Sequence, residues 1–290
     1  MRFLFSVFFI AFLLLTGCSE RRESVKSVAV GIAPIAALTS EIAGREYRIV
    51  TLLPEGKNPH DYTPGMRELA AASKCRIFFT TKLPFEARLV HAFPETTRVV
   101  DISRNLQLRP LDVPHHHDHG EHHHDHEAGD PHVWLSLDFD IIIAQTICDE
   151  LCAAFPEDAA QFQRNVKILQ QRLADKKRQL TEKLAPCRGR EFFVYHGAFG
   201  YFADTFHLKQ ISVEVNGRES DPAHFAEITA KMKTQNHPVL FVQKEFSPTI
   251  ADALRQNCGA TLVEADPLGA DILQLFDTLA DAVAQPEKMR

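Results

Sequence analysis

Residues 156–186 read "PEDAAQFQRNVKILQQRLADKKRQLTEKLAP", and the reading of this run decides the architecture. Pro156 opens it, and the next proline stands at its far end. Roughly thirty helical residues would span roughly 45 Å, well beyond the usual globular helix. A helix of that length suits a rod joining two lobes.

The flanking segments alternate short apolar runs with helical patterns. Before the rod, "VKSVAVGIA", "REYRIVTLLP", "RIFFT" and "TRVVDI" read as strands. Helices are predicted at "PIAALTSEIAG", "PGMRELAAAS" and "FEARLVHAF", with one more from about Leu137 to Phe155. Beyond the rod, "REFFVY", "KQISVEV", "PVLFV" and "ATLVEA" are strands. They alternate with helices at "FGYFADTF", "SDPAHFAEITAKMKTQ" (Asp221 as its cap), "SPTIADALRQN" and from Ala270 onward. Strand–helix alternation argues for parallel sheets covered by helices. The expected fold is therefore α/β: two lobes, each a four-stranded parallel sheet flanked by helices, joined by one long rigid helix. The lobes would occupy residues 24–155 and 187–290, with 156–186 as the connecting helix.

The first seventeen residues stand apart. One arginine precedes an apolar run from Phe3 to Leu15, too short for the roughly 20 residues a membrane span needs. It has the three-part form of a secretory signal. The closing "LTGC" resembles a bacterial lipobox, which implies cleavage before Cys18 and acylation of that cysteine. Acyl chains would then hold the protein to a membrane surface in the cell envelope or periplasm.

The composition of the whole chain is that of an ordinary globular protein, 45% hydrophobic and 24% charged. A net charge of −6 without a basic stripe argues against nucleic acid as a partner. Cys75, Cys148, Cys152, Cys187 and Cys258 form no CxxC pair. Inert thiols are expected for most of them, although the Cys148/Cys152 spacing could also bind metal.

In open parallel sheets, ligands bind just past the carboxyl ends of the strands. That rule selects His60 in "PEGKNPHDYTP", His196 in "FFVYHGAFG", Asp266 in "VEADPLG" and His132 in "DPHVWLS". Each has a plain alternative: a lone histidine near a strand end is more often a hydrogen-bonded loop residue, and Asp266 before proline could cap a helix. Jointly, three imidazoles and a carboxylate make a four-coordinate set suited to zinc, though imidazole also suits other transition metals. The tract "HHHDHGEHHHDH" at 115–126 adds His115, His116, His117, His119, His122, His123, His124 and His126. Its flexible backbone has no preorganised geometry, so it is read as accessory weak metal binding. His91, His207, His224 and His237 are expected to be solvated or capping. Trp134 is expected to pack beneath His132, and Glu219 and Glu245 receive no role.

At these residues the chain resembles the metal-specific solute-binding proteins of bacterial ABC transporters, the ZnuA/TroA-like family. The landmarks are "IAPIAALTSEIAG", "LLPEGKNPHDYTP", "DPHVWLS", "YHGAFGYFA", "QKEFSPT" and "EADPLG", in this order. The resemblance implies two lobes joined by a long helix, with Zn(II) held in the cleft by His60, His132, His196 and Asp266. It implies delivery of the ion to an ABC permease by a monomer with no enzymatic role. A histidine-rich loop before the second ligand is a mark of the family's zinc-specific branch. His196 stands where manganese-selective relatives tend to carry a carboxylate, which favours zinc and leaves Mn(II) as the alternative. An envelope zinc hydrolase and an adhesin are the competing functions; no HExxH supports the hydrolase. The chain departs from the family at "NPHDYTP", where "DPHxYEP" is usual, and at "TKLPFE", where an "NGLGLE"-like turn is usual. These departures affect the cleft rim and leave the ligand set intact.

Overall fold

The computed structural model describes residues 26–110, 129–214, 222–243 and 248–289. The signal segment, Cys18, the histidine tract, Glu219, Asp221 and Glu245 lie outside the described residues. The first half runs β1 (Ser27–Val30), α1 (Ala33–Ala43), β2 (Arg48–Thr51), α2 (Met66–Ala72), β3 (Ile77–Thr80), α3 (Pro84–Ala87) and β4 (Arg98–Asp101). Then come α4 (Leu137–Ala154) and the long α5 (Ala159–Leu184). The second half is β5 (Glu191–Val194), α6 (Gly200–Phe206), β6 (Lys209–Ser212), α7 (Pro222–Lys233), β7 (Val239–Val242), α8 (Pro248–Cys258), β8 (Thr261–Glu264) and α9 (Ile272–Ala284). Both sheets are four-stranded and parallel throughout, in the orders β2-β1-β3-β4 and β6-β5-β7-β8. The expected fold class is therefore the observed one.

Two elements differ from expectation. "FEARLVHAF" is a single turn of helix, α3, followed by a 3-10 turn at Val90–Ala92. Phe93 precedes Pro94 and adopts extended backbone, as a residue before proline tends to do. The rod is shorter than its sequence run, because 3-10 turns at Pro156–Asp158 and Ala185–Cys187 take up its ends.

Helix α5 joins the halves through one apolar stripe. Phe162, Val166, Leu169, Leu173, Leu180 and Leu184 are all buried, at the spacing that places side chains on one helix face. They belong to a single hydrophobic cluster that also takes in Val28 and Phe79 of the first half and Val194 and Phe276 of the second. Polar contacts reinforce the seam. Gln161 and Asn165 donate to the carbonyls of Ala43 and Ile42 at 3.2 and 3.0 Å, satisfying acceptors left open at the end of α1. Lys176 pairs with Asp277 of α9 at 2.6 Å, and Lys177 with Asp138 of α4 at 2.7 Å. A smaller cluster around Phe193, Ile228, Met232 and Leu254 lies apart from it in the second half.

Helix α4 is capped by Ser136, whose hydroxyl accepts from the Phe139 N–H at 3.4 Å. This start holds the "DPHVW" segment at the junction of the halves. No described helix is long and apolar enough to cross a membrane. Among the described residues all five cysteines are unpaired; Cys75, Cys148 and Cys187 are buried, and Cys152 and Cys258 partly so.

Candidate metal centre

His60, His132 and His196 converge, with one ligand atom of each within 4.8 Å of the others. Each arrives by a different local device. His60 follows β2 in a turn where its backbone N–H donates to Asn58 Oδ1 at 2.9 Å, an Asx turn of the kind asparagine favours. His132 opens the 3-10 turn Val133–Leu135. Its backbone N–H donates to Asp130 Oδ1 at 3.0 Å. His196 is the second residue past β5, at the carboxyl end of the second sheet.

Two of the imidazoles are oriented from behind by carboxylates. His132 Nδ1 donates to Asp130 Oδ1 at 2.7 Å, and His196 Nδ1 donates to Glu214 Oε2 at 2.9 Å. With the proton on Nδ1 in both rings, each Nε2 presents a lone pair. These two Nε2 atoms lie 3.3 Å apart. The ring of His60 stands edge-on to that of His196, with centroids 5.1 Å apart.

Burial disfavours protonation of His60 and His132. It pushes the pKa of His60 down to about 4, with the neighbouring rings of His196 and His132 adding to the effect. Burial also holds His132 below the ordinary histidine value, against the opposing pull of Asp130. For Asp130, burial disfavours ionisation, but hydrogen bonds from His132 and Arg109 outweigh it and keep its carboxyl below the usual range. Three converging imidazoles, two of them backed by buried carboxylates, could hold a cation that prefers nitrogen donors.

Asp266 is placed differently from the histidines. Its carboxylate is not among the converged ligand atoms; Oδ1 accepts the Leu268 N–H at 2.8 Å. The next residue, Pro267, does line the cavity, together with Asn58, Trp134, Gln243 and Leu268. Trp134 packs edge-on to His132 at 5.5 Å, as expected, and its indole N–H donates to the Pro267 carbonyl at 2.7 Å. That bond ties the Asp266 loop to the floor of the site.

A family model described as "Zinc-uptake complex component A periplasmic" (ZnuA) matches residues 28–285. The chain belongs to the ZnuA family. The zinc-binding lipoprotein AdcA of Streptococcus pneumoniae (strain ATCC BAA-255 / R6) is 25% identical over 266 residues, covering 88% of this chain and 53% of AdcA. The chain spans about half the length of the curated AdcA relatives it matches. Among solved structures, a ZnuA crystal structure is similar with a TM-score of 0.82 at 26% identity, covering 90% of this chain and 99% of that one. A zinc-bound deletion mutant of ZnuA gives 0.80 at 27% identity, covering 90% and 98%.

Within this ZnuA-family fold, the sequence rule that picked the histidines missed their supports. Asp130 was legible in principle, since an Asp-Pro-His run places a carboxylate two residues from the ring it orients. Glu214 needed the sheet register. Val194 pairs with Ser212, so two residues further on His196 and Glu214 stand side by side. Gln243 and Arg109 carried no local signal. The remaining histidines divide. His207 is exposed and caps α6 in the left-handed conformation, as expected. His224 is instead buried, and its Nε2 lies 3.2 Å from the Ser212 carbonyl, a donor position that corrects the solvated reading.

Proposed function

We propose that this chain is the extracytoplasmic solute-binding protein of an ABC zinc-uptake system, capturing Zn(II) at His60, His132 and His196. The observation that carries this reading is the 3.3 Å approach of two Nε2 lone pairs whose Nδ1 atoms are both tied to carboxylates. A cation lying between the two Nε2 atoms would be met by both nitrogens. Asp266 is proposed as the fourth ligand, its carboxylate turning from the Leu268 N–H when the ion enters. Four protein ligands in a tetrahedral set match zinc. The imidazole majority favours zinc over manganese, whose preference is for oxygen donors. The zinc-bound ZnuA mutant and the zinc-binding AdcA proteins support the same ion.

No catalytic step is assigned. The carboxylates behind His132 and His196 are hydrogen-bonded to their rings, so neither is aimed at a metal-bound water as a general base. The partner is an ABC permease, and the protein acts as a monomer. Cys18 carries the acyl anchor, a reading supported by the lipoprotein named among the relatives. The histidine tract binds further zinc weakly and is not the transported ion's site.

Metal content and zinc-against-manganese competition on protein beginning at Ser19 test the reading. One tight zinc is expected, lost when His60 and His196 are both replaced by alanine. Exclusive uptake of manganese, or an intact tight site in that double variant, would overturn it.

A further inference from the structure

Taking the zinc site just proposed as given, we infer that Arg109 is a positioning residue that sets how fast the ion is released, by clasping the two halves of the chain through the support of His132. The guanidinium bridges two carboxylates from different halves. Its Nη1 donates to Asp130 Oδ2 at 3.1 Å, and its Nε donates to Asp204 Oδ2 on α6 at 2.9 Å. Asp130 is 1% exposed, and its other oxygen holds His132 by both backbone N–H and Nδ1. A continuous chain of contacts therefore runs from α6 through Arg109 and Asp130 to a metal ligand.

The surroundings are built for this seat. Tyr201, also on α6, accepts the Arg109 backbone N–H at 3.3 Å and donates its hydroxyl to the Asp130 carbonyl at 2.6 Å. The guanidinium lies over the Tyr201 ring, 5.9 Å from its centroid. Gly200 leaves the space it occupies: a Cβ there would sit 1.9 Å from Arg109 Nη1. On the opposite side, Gly129 permits close approach to Leu108, and the Asp130 N–H bonds the Arg109 carbonyl at 2.8 Å. Release of the ion requires His132 and His196, which belong to different halves, to separate. The clasp resists that separation at a point two residues from His132.

Two variants displace the clasp without touching a metal ligand. Asp204→Asn removes the exposed end of the bridge, and Gly200→Ala pushes the guanidinium from its seat. Zinc is loaded onto the full chain and withdrawn by excess chelator in stopped flow, with Trp134 fluorescence as the signal. Asp204→Asn should speed release about threefold, the scale of a partly exposed ion pair. Gly200→Ala should do so by at least as much. In Asp204→Asn, the association rate and the thermal midpoint of metal-free protein should stay at wild-type values. Asp204→Glu, which keeps the charge on a side chain with room to move, should restore slow release. Wild-type release rates in both variants would overturn the inference, as would faster release only in step with lost stability of the metal-free protein. Absence of a tight zinc in the wild-type chain would instead sink the functional reading beneath it.

Discussion

His132 and His196 face each other Nε2 to Nε2 across 3.3 Å, although 64 residues separate them in the chain. Each ring is fixed from behind by its own acid, Asp130 or Glu214. The pair holds two lone pairs in place before any ion arrives, and this preorganisation lowers the ordering cost that binding would otherwise carry.

Zinc should therefore stabilise the fold strongly. At a free concentration about a thousandfold above Kd, linkage contributes about 4 kcal/mol, enough to raise Tm by roughly 8–16 °C in a chain of this size. Chelator should reverse the rise, and His196→Ala should abolish it. Thermal melts with zinc and with chelator make the comparison.

Glu214→Gln should keep the fold and weaken zinc binding by roughly 10–100-fold, the usual effect of losing a carboxylate behind a ligating histidine. The neutral carboxamide can still accept from Nδ1 but no longer raises the basicity of the ring. Competition against a chromophoric chelator measures the change; wild-type affinity would remove Glu214 from the site.

Acid should separate the tight site from the histidine tract. With the His60 pKa near 4 and His132 also depressed, protons compete little for these two rings at pH 5.5. Histidines of ordinary pKa, about 6.5, are mostly protonated there. Zinc stoichiometry, read by equilibrium dialysis, should fall towards one per chain at pH 5.5 and exceed one at pH 7.5. Loss of the last zinc at pH 5.5 would contradict this.

Glu86 gives a separate pH signature in the first half. Its carboxyl is fully buried, and burial pushes its pKa up to about 7 despite hydrogen bonds from Thr80, Thr81 and Leu83 to Oε2. Between pH 4.5 and 7 the unfolded chain ionises this group while the folded chain keeps its proton. The folded state then binds more protons, so this group's contribution to stability falls as pH rises, and the loss is complete above pH 7. Glu86→Gln should escape that loss. Its stability relative to wild type should rise by on the order of 3 kcal/mol from pH 4.5 to 8, as followed by urea denaturation. An unchanged difference would mean that Glu86 is ionised in the fold.

Trp134→Phe should cost about 1–3 kcal/mol, because it leaves the Pro267 carbonyl without the indole donor it now meets at 2.7 Å. The loss should appear in urea denaturation of metal-free protein.

The sequence by itself determined the two halves, the rod between them and the three histidines that converge. Those features follow from local regularities: apolar runs of strand length, the spacing of α5, and the tendency of parallel sheets to bind ligands past their carboxyl ends. Tertiary structure alone decided how the rings are held. Glu214 meets His196 through the register of β5 against β6, and Arg109 meets Asp204 across 95 residues through the apposition of the two halves. It also decided that the Asp266 carboxylate lies outside the converged group, engaged with the Leu268 N–H, while Trp134 holds its loop. Periodicity reports which face of an element is buried. Which donor reaches which acceptor depends on distances set only when both halves pack against α5.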